Sequence, residues 1–443
     1  MQSLTFRLQV VTPLFLSGAD QQVVELRPPS IRGALRFWFR AMMGGVVGGD
    51  WQKVKQLEDG VFGSTEGASR FRVTISWEPQ ELNIFDPTQQ TRYETRDGLV
   101  YLSFPRLGWD SNVKKHRWIK PHIEPDSVFT LQLRFFDDSS STQQLLIASL
   151  WLLLHCGGLG ARSRRGFGSL RCLSPPSALN LSLHLPTDPQ QLGRHFKEGL
   201  QRIQQVFSRY ALSREISSSQ LSDIFSTARA SVPSFSCFHH WEAALITKDS
   251  WTSWNSVLDD MGQFLRRFRN NSLPSGSLRA QTPDYTNVVT YYLPTQIEGR
   301  RGTWHLQNTR VSSWDLQNDA FGLPIQYRSN SRSRQVSTQN QRFDISAIVK
   351  WRLGSEEHDR RGSPLIIRPL SLGNGQYAVI LLILKSEFLP EGAVEYLQAT
   401  GKWPPPAMVP RPRTQTISTA NLGILSKFFA EAKKAFTDLG GLP

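Results

Sequence analysis

The chain has 443 residues, which is long enough for two or three domains with substantial hydrophobic cores. Its hydrophobic content of 39% and charged content of 20% are those of a globular protein and exclude a disordered or fibrous one. Lysine and arginine number 51 against 37 acidic residues, a net charge of +14 that predicts an anionic partner. Charge alone does not distinguish nucleic acid from a membrane surface or an acidic protein.

The first half of the chain alternates strand and helix patterns. Residues 4–10 alternate apolar and polar side chains, as a half-buried strand does. A helix is predicted from an N-cap at Ser30, after two prolines, to about Met43, where Gly44 and Gly45 end it. Further elements are predicted as strands at 71–77 and 128–135, a helix at 141–155 and a strand at 168–173. This order is that of a ferredoxin-like domain, the topology of RNA recognition motifs.

The second half is predicted to hold a second, degenerate ferredoxin-like domain. A proline-rich stretch at 175–190 marks a boundary, and a helix with one apolar face follows at 192–210. The later pattern gives strands near 239–247 and 377–384 and helices near 251–268 and 422–436. We therefore predict an α+β fold with an N-terminal domain at 1–185, a helical linker at 186–230 and a C-terminal domain at 231–443. The N-terminal domain carries an insertion near 78–125, rich in aromatic and basic residues.

A glycine- and arginine-rich run follows the apolar helix of the first half. It reads GGLGARSRRGFG over residues 157–168 and has no acidic residue between Asp138 and Asp188. Glycine lets a ligand approach the main chain closely, and arginine supplies forked donors for phosphate. We therefore predict a polyanion-binding loop; the alternative is a surface turn with solvated charges. The candidate binding residues are Gly158, Gly160, Arg162, Arg164 and Arg165.

Three arginines of the first predicted helix form a second candidate site. Arg32, Arg36 and Arg40 are spaced four residues apart and therefore share one face of the helix. Arg27 lies just before the helix, whose free N–H groups and positive dipole end favour phosphate. The alternative is an ordinary solvated basic face.

Four segments carry a resemblance to a known family. TPLFLSGAD at 12–20 and ELRPPSIRGALRFWFR at 25–40 resemble the RAMP superfamily of RNA-binding CRISPR proteins, and most of all the first RAMP subunits of type III-B (Cmr-type) effector complexes. GLPIQ at 322–326 and RRGSPLIIR at 360–368 look like the C-terminal half of such subunits. The resemblance implies two ferredoxin-like RAMP domains, with the first helix and the glycine-rich loop on the RNA-binding side. It implies guide RNA (at its 3′ part), target RNA and other RAMP subunits as partners, and no membrane.

Basic residues of the second half are further candidates. The segment 327–343 contains Arg328 and three more arginines without an acid, and it is equally typical of a loop that orders only on RNA. Arg360, Arg361 and Arg368 form another basic cluster. Of these residues, Arg328 and Arg361 complete the candidate RNA-binding set.

No catalytic or cofactor site is predicted. His239 and His240 are adjacent on a predicted strand and so face opposite sides, and His155 has the position of a core or helix-cap histidine. No cluster has metal-ligand spacing, and no phosphate-binding P-loop motif is present. We therefore expect a binding protein without a cofactor. The alternative that the resemblance keeps open is a metal-independent RAMP endoribonuclease that processes guide RNA precursors, and a third is an RNA-independent protein scaffold.

The sequence predicts a cytoplasmic location. Three sparse cysteines without CxxC spacing indicate a reducing compartment. Residues 1–11 alternate like a strand rather than a signal peptide. The longest apolar run, at 145–154, is shorter than the roughly 20 residues that cross a bilayer.

Overall fold

The computed structural model describes residues 2–136, 140–174, 181–226, 232–269, 296–298, 303–305, 318–321, 326–328, 344–358, 360–402, 414–417 and 422–442. The chain divides into two compact units. The first comprises residues 1–266, 365–386 and 427–443, and the second comprises residues 267–364 and 387–426.

The elements are numbered in chain order. The α-helices are α1 (Pro28–Val46), α2 (Trp51–Phe62), α3 (Asp97–Ser103), α4 (Ser140–Cys156), α5 (Leu192–Leu212), α6 (Trp254–Arg269) and α7 (Gly423–Ala435). The strands are β1 (Ser3–Val10), β2 (Phe71–Ser76), β3 (Ile84–Phe85), β4 (Tyr93–Glu94), β5 (Leu107–Asp110), β6 (Lys115–Trp118), β7 (His122–Ile123), β8 (Val128–Phe135), β9 (Leu170–Ser174), β10 (Trp241–Thr247), β11 (Gln296–Glu298), β12 (Thr303–His305), β13 (Gln326–Arg328), β14 (Asp344–Leu353), β15 (Glu356–His358), β16 (Leu365–Ser371), β17 (Tyr377–Leu384), β18 (Ala393–Lys402), β19 (Thr414–Ile417) and β20 (Thr437–Asp438). Short 3₁₀ turns lie at Pro79–Glu81, Pro189–Gln191, Ser218–Gln220 and Asn318–Phe321.

The first sheet of unit 1 has the strand order β2–β8–β1–β9, and all its pairs are antiparallel. Phe6 pairs with Leu131 and Leu8 with Phe129, so alternate residues of both strands enter the core, as the sequence pattern predicts. Helices α1 and α4 pack against each other beside this sheet. Helix α4 is buried from Leu145 to Cys156, and all residues of that stretch except Ser149 and His155 are apolar, as expected of a helix covered on all sides. Between β2 and β8 the chain forms α3 and two small sheets, β3–β7 and β4–β6–β5.

The second sheet of unit 1 has the order β16–β17–β10–β20, again antiparallel. Its elements follow one another as β10, α6, β16, β17, α7 and β20, the same order of strands and helices as in the first sheet. Strand β17 reads YAVILLIL and is buried at every position after Tyr377. Such a continuous apolar run is typical of a strand covered on both faces of its sheet.

Unit 2 contains the sheet β13–β14–β18–β19 and the two-stranded sheet β11–β12. Strand β15 forms an antiparallel pair with β14. Strand β14 pairs with β18 along its whole length, from Asp344 opposite Lys402 to Leu353 opposite Ala393.

Helix α1 differs from the sequence prediction at both ends. It begins at Pro28 with Arg27 as the N-cap, and Ser30 is its third residue, because proline is pre-organised for the first helical position. Gly44 and Gly45 lie inside the helix. A Cβ on Gly44 would come within 2.7 Å of Phe235, and one on Gly45 within 2.8 Å of Phe238. These glycines permit close packing rather than ending the helix, which runs on to Val46.

The structure corrects the predicted position of the histidine pair and bears on the prediction that no segment crosses a membrane. His239 and His240 lie in the turn before β10, not on the strand, and their rings are 5.0 Å apart. The turn, unlike a strand, lets consecutive side chains share a side. Over the part of the chain that the structure describes, no helix has the length and apolar character needed to span a membrane.

Candidate nucleic-acid interface

The glycine–arginine loop, residues 157–169, connects α4 to β9. It is tied by backbone hydrogen bonds to the segment after β1: Ala161 N–H donates to Phe15 O (2.8 Å), and Gly168 N–H donates to Pro13 O (3.0 Å). Leu159 N–H closes the loop on itself by donating to Gly168 O (2.9 Å). The loop is therefore a packed structure and not a loose surface turn.

Two glycines are required by this packing. Gly160 has φ +74°, and a Cβ there would lie 2.3 Å from Phe15 O. Gly168 has φ +65°, and a Cβ there would lie 1.9 Å from Leu159 O. A side chain at either position would be both strained in the left-handed region and in collision with backbone. The predicted site residue Gly158 is similarly close, with Phe167 O 2.9 Å from its would-be Cβ.

The three arginines of the loop are all half-buried. Arg162 has φ +66° and turns inward, where its Nε donates to Leu102 O (2.8 Å). Arg164 lies over the ring of Phe37, with 5.7 Å from its guanidinium carbon to the ring centroid. The backbone of Arg165 forms a parallel bridge with Ile367 of β16. Of the three, Arg164 lines the cleft described next.

A cleft of about 250 Å³ lies between the loop and the first turns of α1. Phe37 and Trp38 form one wall, and the loop forms the other with its glycine backbone and Arg164. The full lining is Ser30, Ala34, Phe37, Trp38, Gly157, Gly158, Leu159, Gly160, Ser163, Arg164 and Ile366, with no carboxylate among them. Such a cleft offers a cation, an aromatic ring and glycine backbone, which together suit a phosphate and a planar ring.

The arginine stripe of α1 lies elsewhere. Arg36 and Arg40 both bind the carboxylate of Glu58 in α2, with 2.8 Å between Arg40 Nη2 and Glu58 Oε1. Arg36 also donates to Gly63 O (3.0 Å), and Arg32 donates to Phe62 O, at the C-terminal end of α2. Burial and the nearby Arg36 lower the pKa of Arg32. The Glu58 side chain is only 1% exposed. Because all three arginines bind either Glu58 or the C-terminal end of α2, they connect α2 to α1.

The structure therefore does not bring the stripe and the loop together. The cleft-lining residues of α1 lie about 140° around the helix axis from the arginine stripe, given ~100° per residue. The free N–H groups that were predicted at the start of α1 are not available to a phosphate. Pro28 and Pro29 have no N–H, and the N–H of Ser30 already donates to Arg27 O (3.1 Å). Arg27 itself faces Glu25 at 3.5 Å.

The basic residues of the second half are distributed between the two units. In unit 2, Arg328 ends β13, and Arg361 donates to Glu387 O (3.0 Å). The rest of the basic segment, residues 329–343, lies outside the described residues. Arg368 does not join a surface cluster: it is 1% exposed in unit 1, where burial lowers its pKa to about 9.

None of the histidines whose side chains the structure describes lines the cleft. His155 is buried, stacks on Trp151 at 4.1 Å and has its Nε2 3.1 Å from Nε2 of His195, as a core histidine would. Burial lowers the pKa of His155 well below its usual value and that of His195 to about 4. Across the described ranges, no group of His, Cys, Asp and Glu has the geometry to hold a metal ion.

Sequence reasoning missed the roles of three residues in this region: Phe37, Glu58 and Arg368. Phe37 sits beside apolar neighbours and reads as core. Glu58 carried one signal, since it lies among the apolar positions Val54, Leu57 and Val61 of an amphipathic helix. Arg368 carried a similar signal as the one charge in an otherwise apolar strand.

Comparisons with known proteins agree with this architecture. The RAMP superfamily model matches residues 7–171, which include the loop and α1. The chain is 34% identical over 181 residues to the CRISPR system Cmr subunit Cmr1-2 of Pyrococcus furiosus, covering 39% of this chain and 95% of the relative. It is 32% identical over 204 residues to subunit Cmr1-1 of the same organism, covering 45% of this chain and 56% of that relative. The chain thus spans little more than half the length of this longer relative.

The crystal structure of Cmr1 from Pyrococcus furiosus in its apo form has the same fold. It matches with a TM-score of 0.53 and 18% sequence identity over 100% of this chain and 99% of that one. The chain belongs to the RAMP superfamily and, within it, to the Cmr1 subunits of CRISPR systems.

Proposed function

We propose that this protein is an RNA-binding subunit of a type III-B (Cmr) CRISPR complex. It contacts the 3′ part of the guide RNA, the guide–target duplex, or both, beside other RAMP subunits of the complex in the cytoplasm. The protein holds the RNA backbone while base pairing reads the sequence, the division of labour in guided effectors. Membership of the Cmr1 family and the net charge of +14 support this proposal.

The observation that carries the proposal is the cleft between α1 and the glycine–arginine loop. Arg164 and Phe37 both line the cleft, with the guanidinium group over the ring, and the backbone of Gly158 and Gly160 lines it as well. Single-stranded RNA is bound by such a combination, because phosphates pair with arginine while bases stack on aromatic rings without regard to sequence. The absence of carboxylates from the cleft lining keeps its field favourable to an anion.

The order of elements supports the proposed domain organisation. Both four-stranded sheets have the βαββαβ connection and the strand order of a ferredoxin-like unit. We propose that they are the cores of two ferredoxin-like RAMP domains, at 1–185 and 231–443, joined by a linker at 186–230 that holds α5. In this organisation β11–β15 and β18–β19 are two insertions of the C-terminal domain.

A nuclease activity is not favoured by any contact in this cleft. Its lining contains neither a histidine nor an acid that could move a proton at a 2′-hydroxyl. We propose that the subunit binds RNA without cutting it. Labelled single-stranded RNA incubated with the purified chain, with and without magnesium, is expected to stay intact. Cleavage lost in a His155→Ala, His239→Ala or His240→Ala variant, or in an Asp20→Ala variant that removes the acid of the loop after β1, would restore the endoribonuclease alternative.

Fluorescence anisotropy with labelled single-stranded RNA tests the binding site. Arg164→Ala is expected to weaken binding about tenfold, since a charge-assisted hydrogen bond contributes ~1.5 kcal/mol. Lys434→Ala is the matched control, because it also removes one positive charge from unit 1 but at a side chain 68% exposed on α7. Equal binding by the two variants would show that only net charge matters. No binding by the wild-type chain would remove the proposed function itself.

A further inference from the structure

A buried arginine of β16 joins the two ends of the glycine–arginine loop. Arg368 is 1% exposed, and its Nη2 donates to the carbonyl oxygens of both Leu154 and Leu170. Leu154 belongs to the last turn of α4, and Leu170 is the first residue of β9. The loop leaves the core between these two residues. One guanidinium group therefore closes the stem of the loop.

Hydrogen bonds to two carbonyl oxygens offset part of the cost of burying the charge of Arg368. Burying a charged group is expensive unless hydrogen bonds compensate it. Among the described residues, the Nε and Nη1 atoms of Arg368 have no hydrogen-bond partner. The compensation comes from carbonyl oxygens, one of which lies at the C-terminal end of a helix where the dipole is negative.

The residues next to Arg368 contact the loop at other points. Ile367 N–H donates to Arg164 O (3.1 Å), and Ile367 forms the parallel bridge to Arg165. Ile366 lines the cleft itself. Three consecutive residues of β16 thus contact the cleft wall, the tip of the loop and its stem. A strand of the second sheet thus packs against a loop that is connected to the first.

We propose that Arg368 is a positioning residue for the RNA-binding loop, which it holds in the conformation that places Arg164 over Phe37. Arg368 does not touch the RNA, and its role rests on the proposed function of the loop. It makes the C-terminal sheet a component of the RNA site rather than a separate domain beside it. Both hydrogen bonds come from Nη2, so the long arginine side chain places one terminal nitrogen between the two carbonyl oxygens of the stem. Lysine would place a compact, strongly hydrated ammonium group there instead.

Hydrogen–deuterium exchange on the full chain tests the proposal together with RNA anisotropy. In Arg368→Met, amides of residues 157–169 are expected to exchange about tenfold faster or more, while amides of β17 stay as slow as in the wild type. The RNA dissociation constant is expected to rise about tenfold. Methionine fills a similar volume, and replacing a buried charge with an apolar side chain often leaves stability unchanged. Arg70→Met is the matched control: Arg70 Nε also donates to a backbone carbonyl, Gly60 O at 2.6 Å, away from the loop.

Each outcome decides between the two proposals. Unchanged exchange in the loop of folded Arg368→Met would overturn the positioning role. Faster exchange in the loop with unchanged RNA affinity would support the positioning role and reject the loop as the RNA site. If Arg368→Met does not fold, Arg368→Lys retains the charge and is expected to speed exchange in the loop alone. Equal acceleration in the loop and in β17 of that variant would mean that Arg368 is only a general stability residue.

Discussion

Replacing Glu58 by glutamine tests whether the arginine stripe of α1 holds the fold together. Glu58 is 1% exposed and accepts hydrogen bonds from Arg36 and Arg40, whose side chains are 32% and 39% exposed. Breaking a fully buried pair costs about 3–5 kcal/mol. The arginines here can reach water once released, so we expect a smaller loss of about 2–3 kcal/mol in the free energy of unfolding.

Urea unfolding followed by tryptophan fluorescence measures this loss as a lower transition midpoint. Glu66→Gln is the control, because Glu66 is an exposed acid in the loop after α2. RNA affinity of Glu58→Gln is expected to stay within twofold of the wild type, since the stripe does not line the cleft. If the stripe were instead a free basic face for RNA, Glu58→Gln would keep its unfolding midpoint and would bind RNA more tightly after losing a nearby negative charge. That pair of results would refute the structural role.

Three further predictions follow from the same contacts. The affinity for single-stranded RNA should fall with salt by about 0.7 log unit per phosphate contact for each log unit of salt, and a titration that is flat with salt would contradict an electrostatic cleft. Gly168→Ala should cost more than 2 kcal/mol of stability because its Cβ would lie 1.9 Å from Leu159 O, whereas Gly375→Ala, with φ +81° and open space around it, should cost only the ~1 kcal/mol of a left-handed alanine. Stability should decrease as pH falls below about 6.5: the pKa of His155 is depressed in the folded protein, so the unfolded state takes up the proton first, at up to ~1.4 kcal/mol per pH unit. An unchanged pH profile of the unfolding midpoint in His155→Gln would show that another group is responsible.

The residue pattern alone was enough to predict the elements of the first sheet and the existence of the glycine–arginine loop. Alternation in β1, β2 and β8 follows from the two-residue period of a strand with one buried face, and the continuous apolar run of α4 follows from its burial on all sides. The order of these elements gave the α+β fold class, and the motifs of the N-terminal region gave the RAMP superfamily. These features are local or follow the chain in order, so they can be read without knowing which parts touch.

The partners of the charged residues were decided by the tertiary structure. A four-residue spacing places Arg32, Arg36 and Arg40 on one face of a helix, but it does not say that Glu58 of the next helix covers that face. The sequence likewise grouped Arg368 with Arg360 and Arg361 as a basic cluster, but it does not reveal that Arg368 binds the carbonyl of Leu170, 198 residues away. The spacing of residues along the chain specifies which face of a helix or strand they share. Which groups those side chains bind depends on the residues that tertiary packing places opposite that face. For this protein, the stripe arginines bind α2, and we therefore take the cleft lined by Phe37 and Arg164, not the arginine stripe, as the candidate RNA site.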